Sequence, residues 1–175
     1  MKKLDILENQ VNNVYLSLGS NLGKKIKNLE HAKSLLDSFN IKILKSSSFY
    51  RSKSWPNKNF PEYLNLVLLI KTNLNLLDLF QKIKIIEKLI GRTNAKKNYP
   101  RICDIDIIDY NGICKISSLS RNKVIVPHER MHSRNFVLMP LYEINKNWIH
   151  PKYKKNIVKL ISSLPINDLR SIKVN

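Results

Sequence analysis

Tyr63-Leu64-Asn65-Leu66-Val67-Leu68-Leu69-Ile70 is apolar at nearly every position, with Asn65 the exception. Strand side chains alternate between two faces, so a run this dense predicts a central strand covered on both sides. Working outward from it, Ser52 to Pro61 holds two prolines, two asparagines and Trp55, the composition of an exposed connection. Before that loop, Ile41-Lys42-Ile43-Leu44 starts a strand expected to run to Tyr50. Ile26, Leu29, Ala32 or Lys33, Leu35 and Leu36 recur at helical spacing, and Val14-Tyr15-Leu16-Ser17-Leu18 alternates as a strand until Gly19 to Gly23 break it. Residues 1–13 are polar and unpatterned and are expected to form a loose extension.

On the other side, Leu76, Leu79, Phe80, Ile83, Ile86, Glu87 and Ile90 mark an amphipathic helix, and Gly91 stands where a left-handed cap ends one. A basic loop, Arg92 to Asn98, leads to Pro100-Arg101-Ile102-Cys103-Asp104-Ile105-Asp106-Ile107-Ile108, which reads as a strand with Ile105 and Ile107 facing the core. Asn111-Gly112 signals a hairpin returning Ile113 to Ile116. Val124 to Val126 reads as a short strand, Phe136 to Ile144 as a helix despite Pro140, and Ile157 to Leu164 as a terminal helix. The order strand, helix, two strands, helix, strand predicts an α+β fold, a ferredoxin-like split βαβ plait. Its sheet is mostly antiparallel, with helices on one face. One domain over 14–165 and a tail over 166–175 are expected.

The chain of 175 residues carries a formal net charge of +18, so its partner is expected to be anionic, unless the excess of lysine is spread over a solvated surface. The longest apolar run is too short to span a bilayer, and the first residues lack the apolar core of a signal peptide. A soluble, cytoplasmic protein with no membrane partner is the expectation. Cys103 and Cys114 have neither metal-ligand spacing nor the numbers of a disulfide scaffold, and are expected to be buried or half-buried apolar residues.

Chemistry concentrates on the strand after Arg101. Alternation projects Asp104 and Asp106 from one face, and two carboxylates that repel each other need cations. Hard oxygen ligands at this spacing suit Mg²⁺ carrying a nucleotide's phosphates; an edge strand with a polar face is the plainer alternative. Arg92, Lys96, Lys97, Arg101, His128 and Arg134 can neutralise phosphate oxygens, while a lone His after Pro also serves as a structural hydrogen-bonder. No G-x-x-x-x-G-K-[ST] occurs, so a kinase here is not of the P-loop kind. Tyr63, Trp55 and Phe136 can stack on a flat heterocycle or anchor core and loop.

These blocks together, in order, resemble the 6-hydroxymethyl-7,8-dihydropterin pyrophosphokinase family. The resemblance runs from Val14 to about Pro165 and rests on Leu18-Gly19-Ser20-Asn21-Leu22, Ser48-Phe49-Tyr50-Arg51-Ser52, Tyr63-Leu64-Asn65 and Glu87 to Arg92. It continues through Pro100-Arg101-x-x-Asp104-x-Asp106, Val126-Pro127-His128, Arg134-x-Phe136 and Pro140-Leu141. It implies pyrophosphoryl transfer from ATP to the pterin hydroxymethyl group in folate biosynthesis, with AMP released. Asp104 and Asp106 match the ligands of two Mg²⁺ ions. Arg92, Arg101, His128 and Arg134 match ATP or phosphate contacts, with Arg92 and Arg101 expected to act in catalysis, and Glu87 matches a position on the ATP side. Tyr63 and Phe136 match an aromatic sandwich for the pterin; Asn65 and the backbone near Ser52, with Trp55 in the following loop, match its polar edge and cover. Asn98-Tyr99, Asn94 and Lys53-Ser54-Trp55-Pro56 depart from the family's usual residues. An association with other folate enzymes stays open.

The rival is an RNA-binding plait, whose Gly-aromatic strand is absent and whose phosphate backbone Asp104 and Asp106 would repel. No nucleic-acid partner is expected.

Overall fold

The computed structural model describes residues 11–55, 57–92, 99–119 and 122–175. In chain order its elements are β1 (Asn12–Ser20), α1 (Lys25–Ser38), β2 (Lys42–Ser46), β3 (Tyr50–Ser52), β4 (Tyr63–Thr72), α2 (Leu76–Leu89) and β5 (Asp104–Tyr110). Then come β6 (Lys115–Leu119), β7 (Asn122–Val126), α3 (Asn135–Ile144), α4 (Ile157–Ser162), α5 (Ile166–Ser171) and β8 (Lys173–Val174). The main sheet runs β5-β1-β4-β3-β8, with β2 also on β4, and all of its pairings are antiparallel. This is the split βαβ plait, with β4 central as its apolar run requires.

The even positions of β4, Leu66, Leu68 and Ile70, join Leu16, Leu18 and Ile105 beneath α1 and α2 in one aliphatic core. Helix α2 is specified at both ends. The Asn75 side chain accepts from the N–H groups of Leu77 and Asp78, and Gly91 closes the helix at φ +102°. Helix α1 has no side-chain cap and opens on Lys25 and Lys27, against its dipole, so it depends on burying Leu29, Ala32 and Leu36. Ile26, expected in that stripe, is exposed.

Several expectations are corrected. Helices cover both faces of the sheet. Val67 and Ile108 pack with Leu138, Leu141, Trp148, Ile157 and Leu160 under α3 and α4, because the odd positions of β4 are apolar too. The strand expected over 41–50 breaks after Ser46: Ser47 Oγ accepts the Val67 N–H, and the register shifts between Ile43 and Lys45. Asn111 and Gly112 do turn the chain, at φ +53° and +65°, but β6 pairs with β7 and not with β5. The Asn111 side-chain oxygen accepts from Asn13 N and the Asn111 backbone N–H donates to Asn13 O, so this turn fastens to β1. β1 itself starts at Asn12, inside the expected extension, while residues 1–10 lie outside the described residues. Where a tail was expected, α5 and β8 fold back, β8 pairs with β3, and Asn175 N donates to Phe49 O at 2.8 Å. Cys103 is buried as expected, but Cys114 is exposed.

Candidate active site

Sheet register places the site. Asn65, Gly19 and Asp104 stand abreast on β4, β1 and β5, and the next row on the same face is Val67, Ser17 and Asp106. Asn65 and Asp104 are therefore two interstrand spacings apart, about 9.5 Å, with a glycine between them. A Cβ on Gly19 would stand 3.1 Å from Asn65 Oδ1 and 3.4 Å from Tyr63 Cδ1. The bare backbone leaves the floor of a cavity of about 290 Å³ open at this point.

One wall of the cavity is charged. Asp104 accepts from Arg92 Nη1 at 2.7 Å and from Arg101 Nη1 at 3.0 Å. Burial alone would raise its pKa, but Arg101 and Arg92 outweigh it and hold the carboxyl below its usual range. Asp106 lacks so close a partner: Arg134 Nη1 lies 3.7 Å away and His128 Nε2 3.8 Å. Burial first, and then the charge of Asp104, push it up to about 6. His128 Nδ1 accepts from Arg130 N, so the neutral ring carries its proton on Nε2, the nitrogen toward Asp106. Burial, Arg134 and Arg130 lower the His128 pKa to about 4 and keep that ring neutral.

Glu87 sits one layer behind. It is 1% exposed, does not line the cavity, and accepts from Ile105 N, Lys84 and Arg92. From there it orients Arg92, which also reaches Asp104.

The other wall is flat and amide-bearing. Tyr63, Phe136 and Trp55 line it with Ser52 and Asn65. Asn65 Nδ2 donates to Tyr50 O and Ser52 Oγ, which leaves Oδ1 as the free acceptor on the cavity side.

The cavity thus gathers Ser52, Trp55, Tyr63, Asn65, Arg92, Arg101, Asp104, Asp106, His128, Arg134 and Phe136, every site residue read from the sequence that lies among the described residues except Glu87. Lys96, Lys97, Asn94 and Asn98 lie outside the described residues. Ser17, Lys84 and Arg130 also line it and were missed. Lys84 had a signal, since it lies three residues before Glu87 on one helical face. The α3 and α4 layer also covers the sheet face that an RNA-binding plait would need free.

Paired carboxylates and guanidinium groups facing flat rings across one cavity are the side chains that a transferase handling a polyphosphate beside a heterocycle would need. Residues 15–146 match the family described as 7,8-dihydro-6-hydroxymethylpterin-pyrophosphokinase. The chain is 42% identical over 143 residues to the 2-amino-4-hydroxy-6-hydroxymethyldihydropteridine pyrophosphokinase of Aquifex aeolicus, covering 81% of this chain and 86% of that protein. It is 35% identical to the folic acid synthesis protein fol1 of Pneumocystis carinii, over 94% of this chain but only 22% of that longer protein. A Plasmodium falciparum HPPK-DHPS solved with pterin and p-hydroxybenzoate shares the fold, with TM-score 0.76 and 16% identity over 95% of this chain and 48% of that one. The chain belongs to the 7,8-dihydro-6-hydroxymethylpterin-pyrophosphokinase family, and it is an enzyme of the ATP-dependent diphosphokinase class.

Proposed function

We propose that the chain transfers the terminal pyrophosphoryl group of ATP to the hydroxyl of 6-hydroxymethyl-7,8-dihydropterin, giving the pterin diphosphate and AMP, as a step of folate biosynthesis. The observation that carries this reading is the row Asn65, Gly19, Asp104, which sets an amide acceptor and a carboxylate held by two arginines on opposite sides of an open floor.

In this reading Tyr63 and Phe136 hold the pterin ring, and Asn65 Oδ1 accepts from its N–H edge. Trp55 and Ser52 bound that side. The hydroxymethyl oxygen attacks the β-phosphorus in line and gives its proton to solvent, and the bond from that phosphorus to the AMP oxygen breaks, AMP leaving with the electron pair. Arg92, Arg101, His128 and Arg134 donate to the triphosphate oxygens, aligning them and offsetting their charge. Arg92 and Arg101 hold Asp104 at the same time, so they orient the carboxylate as well as the nucleotide. A second cavity, bounded by Phe80, Ile107, Lys123 and Ile125, shares Lys84, Asp106, His128 and Arg130 with the first and offers room for the nucleoside.

Asp104 and Asp106 would hold the Mg²⁺ ions, two in this reading. The donor set fits. Among the described residues no third His, Cys, Asp or Glu joins them, and Mg²⁺ is commonly held by one or two carboxylates with phosphate and water oxygens completing its shell. Asp106, raised to about 6 beside a second carboxylate, is the under-neutralised group that a cation would relieve. When bound, Mg²⁺ supplies charge stabilisation to the transferring group. The remaining work is positioning, which needs no dedicated base.

The test is an assay with ATP, Mg²⁺ and the hydroxymethyl dihydropterin, separating AMP from ADP. Stoichiometric AMP and pterin diphosphate are expected. ADP as the only nucleotide product rules the mechanism out.

A further inference from the structure

Trp55 and Arg130 are both exposed, come from distant parts of the chain, and meet at the mouth of the cavity, where the guanidinium carbon lies 5.7 Å from the centre of the indole ring. Trp55, on the connection after β3, lines the heterocycle side. Arg130, after β7, lines that cavity and also the adjoining one that opens past Asp106 toward Lys123. Its backbone is pinned: Arg130 N donates to His128 Nδ1, and its carbonyl accepts from Ser133 N and Oγ. Its guanidinium, by contrast, has no carboxylate partner among the described residues. A fixed backbone with an unclaimed cation at the end of its side chain is free to trade one partner for another.

We propose that Arg130 is a positioning residue for Trp55, which couples the two substrates of the reaction read above and rests on that reading. Without nucleotide, the guanidinium holds the indole at the mouth. Phosphates entering beside Asp106, His128 and Arg134 draw the guanidinium to themselves and release Trp55 to lie over the flat substrate. The exchange runs this way because a cation over an exposed ring is held weakly, whereas charge-assisted bonds to phosphate are among the stronger polar contacts. Linkage then requires each ligand to tighten the other by the same factor.

The experiment is calorimetry of the hydroxymethyl dihydropterin with and without a non-hydrolysable ATP analogue and Mg²⁺, on the unaltered chain, Arg130→Met and Arg130→Lys. Losing the contact should let Arg130→Met bind the pterin alone about two- to fivefold more tightly, with the gain from nucleotide smaller by the same factor. Arg130→Lys keeps a cation over the ring and should stay close to the unaltered chain. Emission gives an independent readout, because of the two tryptophans Trp148 is 4% exposed and Trp55 63%. Nucleotide alone should change Trp55 emission in the unaltered chain and not in Arg130→Met. An unchanged coupling factor and an unchanged nucleotide-dependent emission in Arg130→Met, in a protein that still forms AMP, overturn the proposal. An unaltered chain that forms no AMP removes the reading of the cavity, and this proposal with it.

Discussion

The two faces of the sheet are built from the same strands and do opposite things. Toward α1 and α2, β1, β4 and β5 present Leu16, Leu18, Leu66, Leu68, Ile105 and Ile107, a dry aliphatic layer. Toward α3 and α4, the same strands present Ser17, Gly19, Asn65, Asp104 and Asp106 to the cavity, with Val67, in the row of Ser17 and Asp106, and Ile108 packed under those helices. The first face stabilises the fold. The second contributes less apolar burial and holds groups, such as Asp106, whose charge is poorly matched in the protein alone. Strain is tolerated there because the opposite face over-determines the backbone.

The sharpest way to break this contrast is to neutralise the carboxylates. Asp106→Asn should lower AMP formation by orders of magnitude at saturating substrates, measured in a quenched-flow or coupled assay. Its melting temperature without Mg²⁺ should hold or rise, since a repelling charge is gone. Asp104→Asn should lose as much turnover but also lose stability, because Arg92 and Arg101 are left without their shared acceptor. An Asp104→Asn protein as stable as Asp106→Asn would erase the distinction between the two aspartates.

Leu68→Ala on the opposite face should do the converse. It should cost about 2–5 kcal/mol in urea unfolding and leave the turnover of the folded fraction unchanged.

Phe136→Ala tests the mixed end more gently. Pterin binding should weaken by about 0.5–1.5 kcal/mol beyond the lost burial, with nucleotide affinity nearly unchanged in calorimetry. Equal losses for both ligands would mean that the cavity is one undivided pocket.

A last effect is one of pH, and it belongs to the second face. His150 Nδ1 accepts from Lys152 N and Tyr153 N, and burial, then His132, lowers its pKa from 6.5 to about 4. The unfolded chain takes up this proton below its ordinary pKa while the fold refuses it. Stability from this group is therefore complete above pH 6.5, falls as the pH drops from 6.5 toward 4, and levels off below. His150→Asn should shrink the fall across that window in denaturant midpoints, leaving the share of His128, which is lowered in the same way.

Much of the first face was legible because it depends on period alone. The helical spacing of Leu76 to Ile90 and the cap at Gly91 needed no tertiary information, nor did the alternation through Asp104 and Asp106. The second face was less so. Its covering layer comes from the last third of the chain, where α3 and α4 are legible as helices but not the face they cover, and α5 and β8, six and two residues long, are too short for a period to show. The turn at Asn111-Gly112 was read correctly as a turn and wrongly as a hairpin, because its partner strand was decided by the hydrogen bonds of Asn111 to Asn13. Arg130 looked like any surface cation, and only its meeting with Trp55 sets it apart.

The row Asn65, Gly19, Asp104 also acts as a gauge. Its span is measured in backbone hydrogen bonds between strands, not in side-chain rotamers, so it is indifferent to almost every substitution elsewhere in the sheet. A lysine-rich drift of the surface, or repacking of the aliphatic face, changes how firmly the gauge is held without altering the length it reads. A side chain at position 19 would leave that length alone but crowd the gap, since its Cβ would stand 3.1 Å from Asn65 Oδ1. The open space between an amide and a carboxylate is thus kept by the one residue in the row that has no side chain.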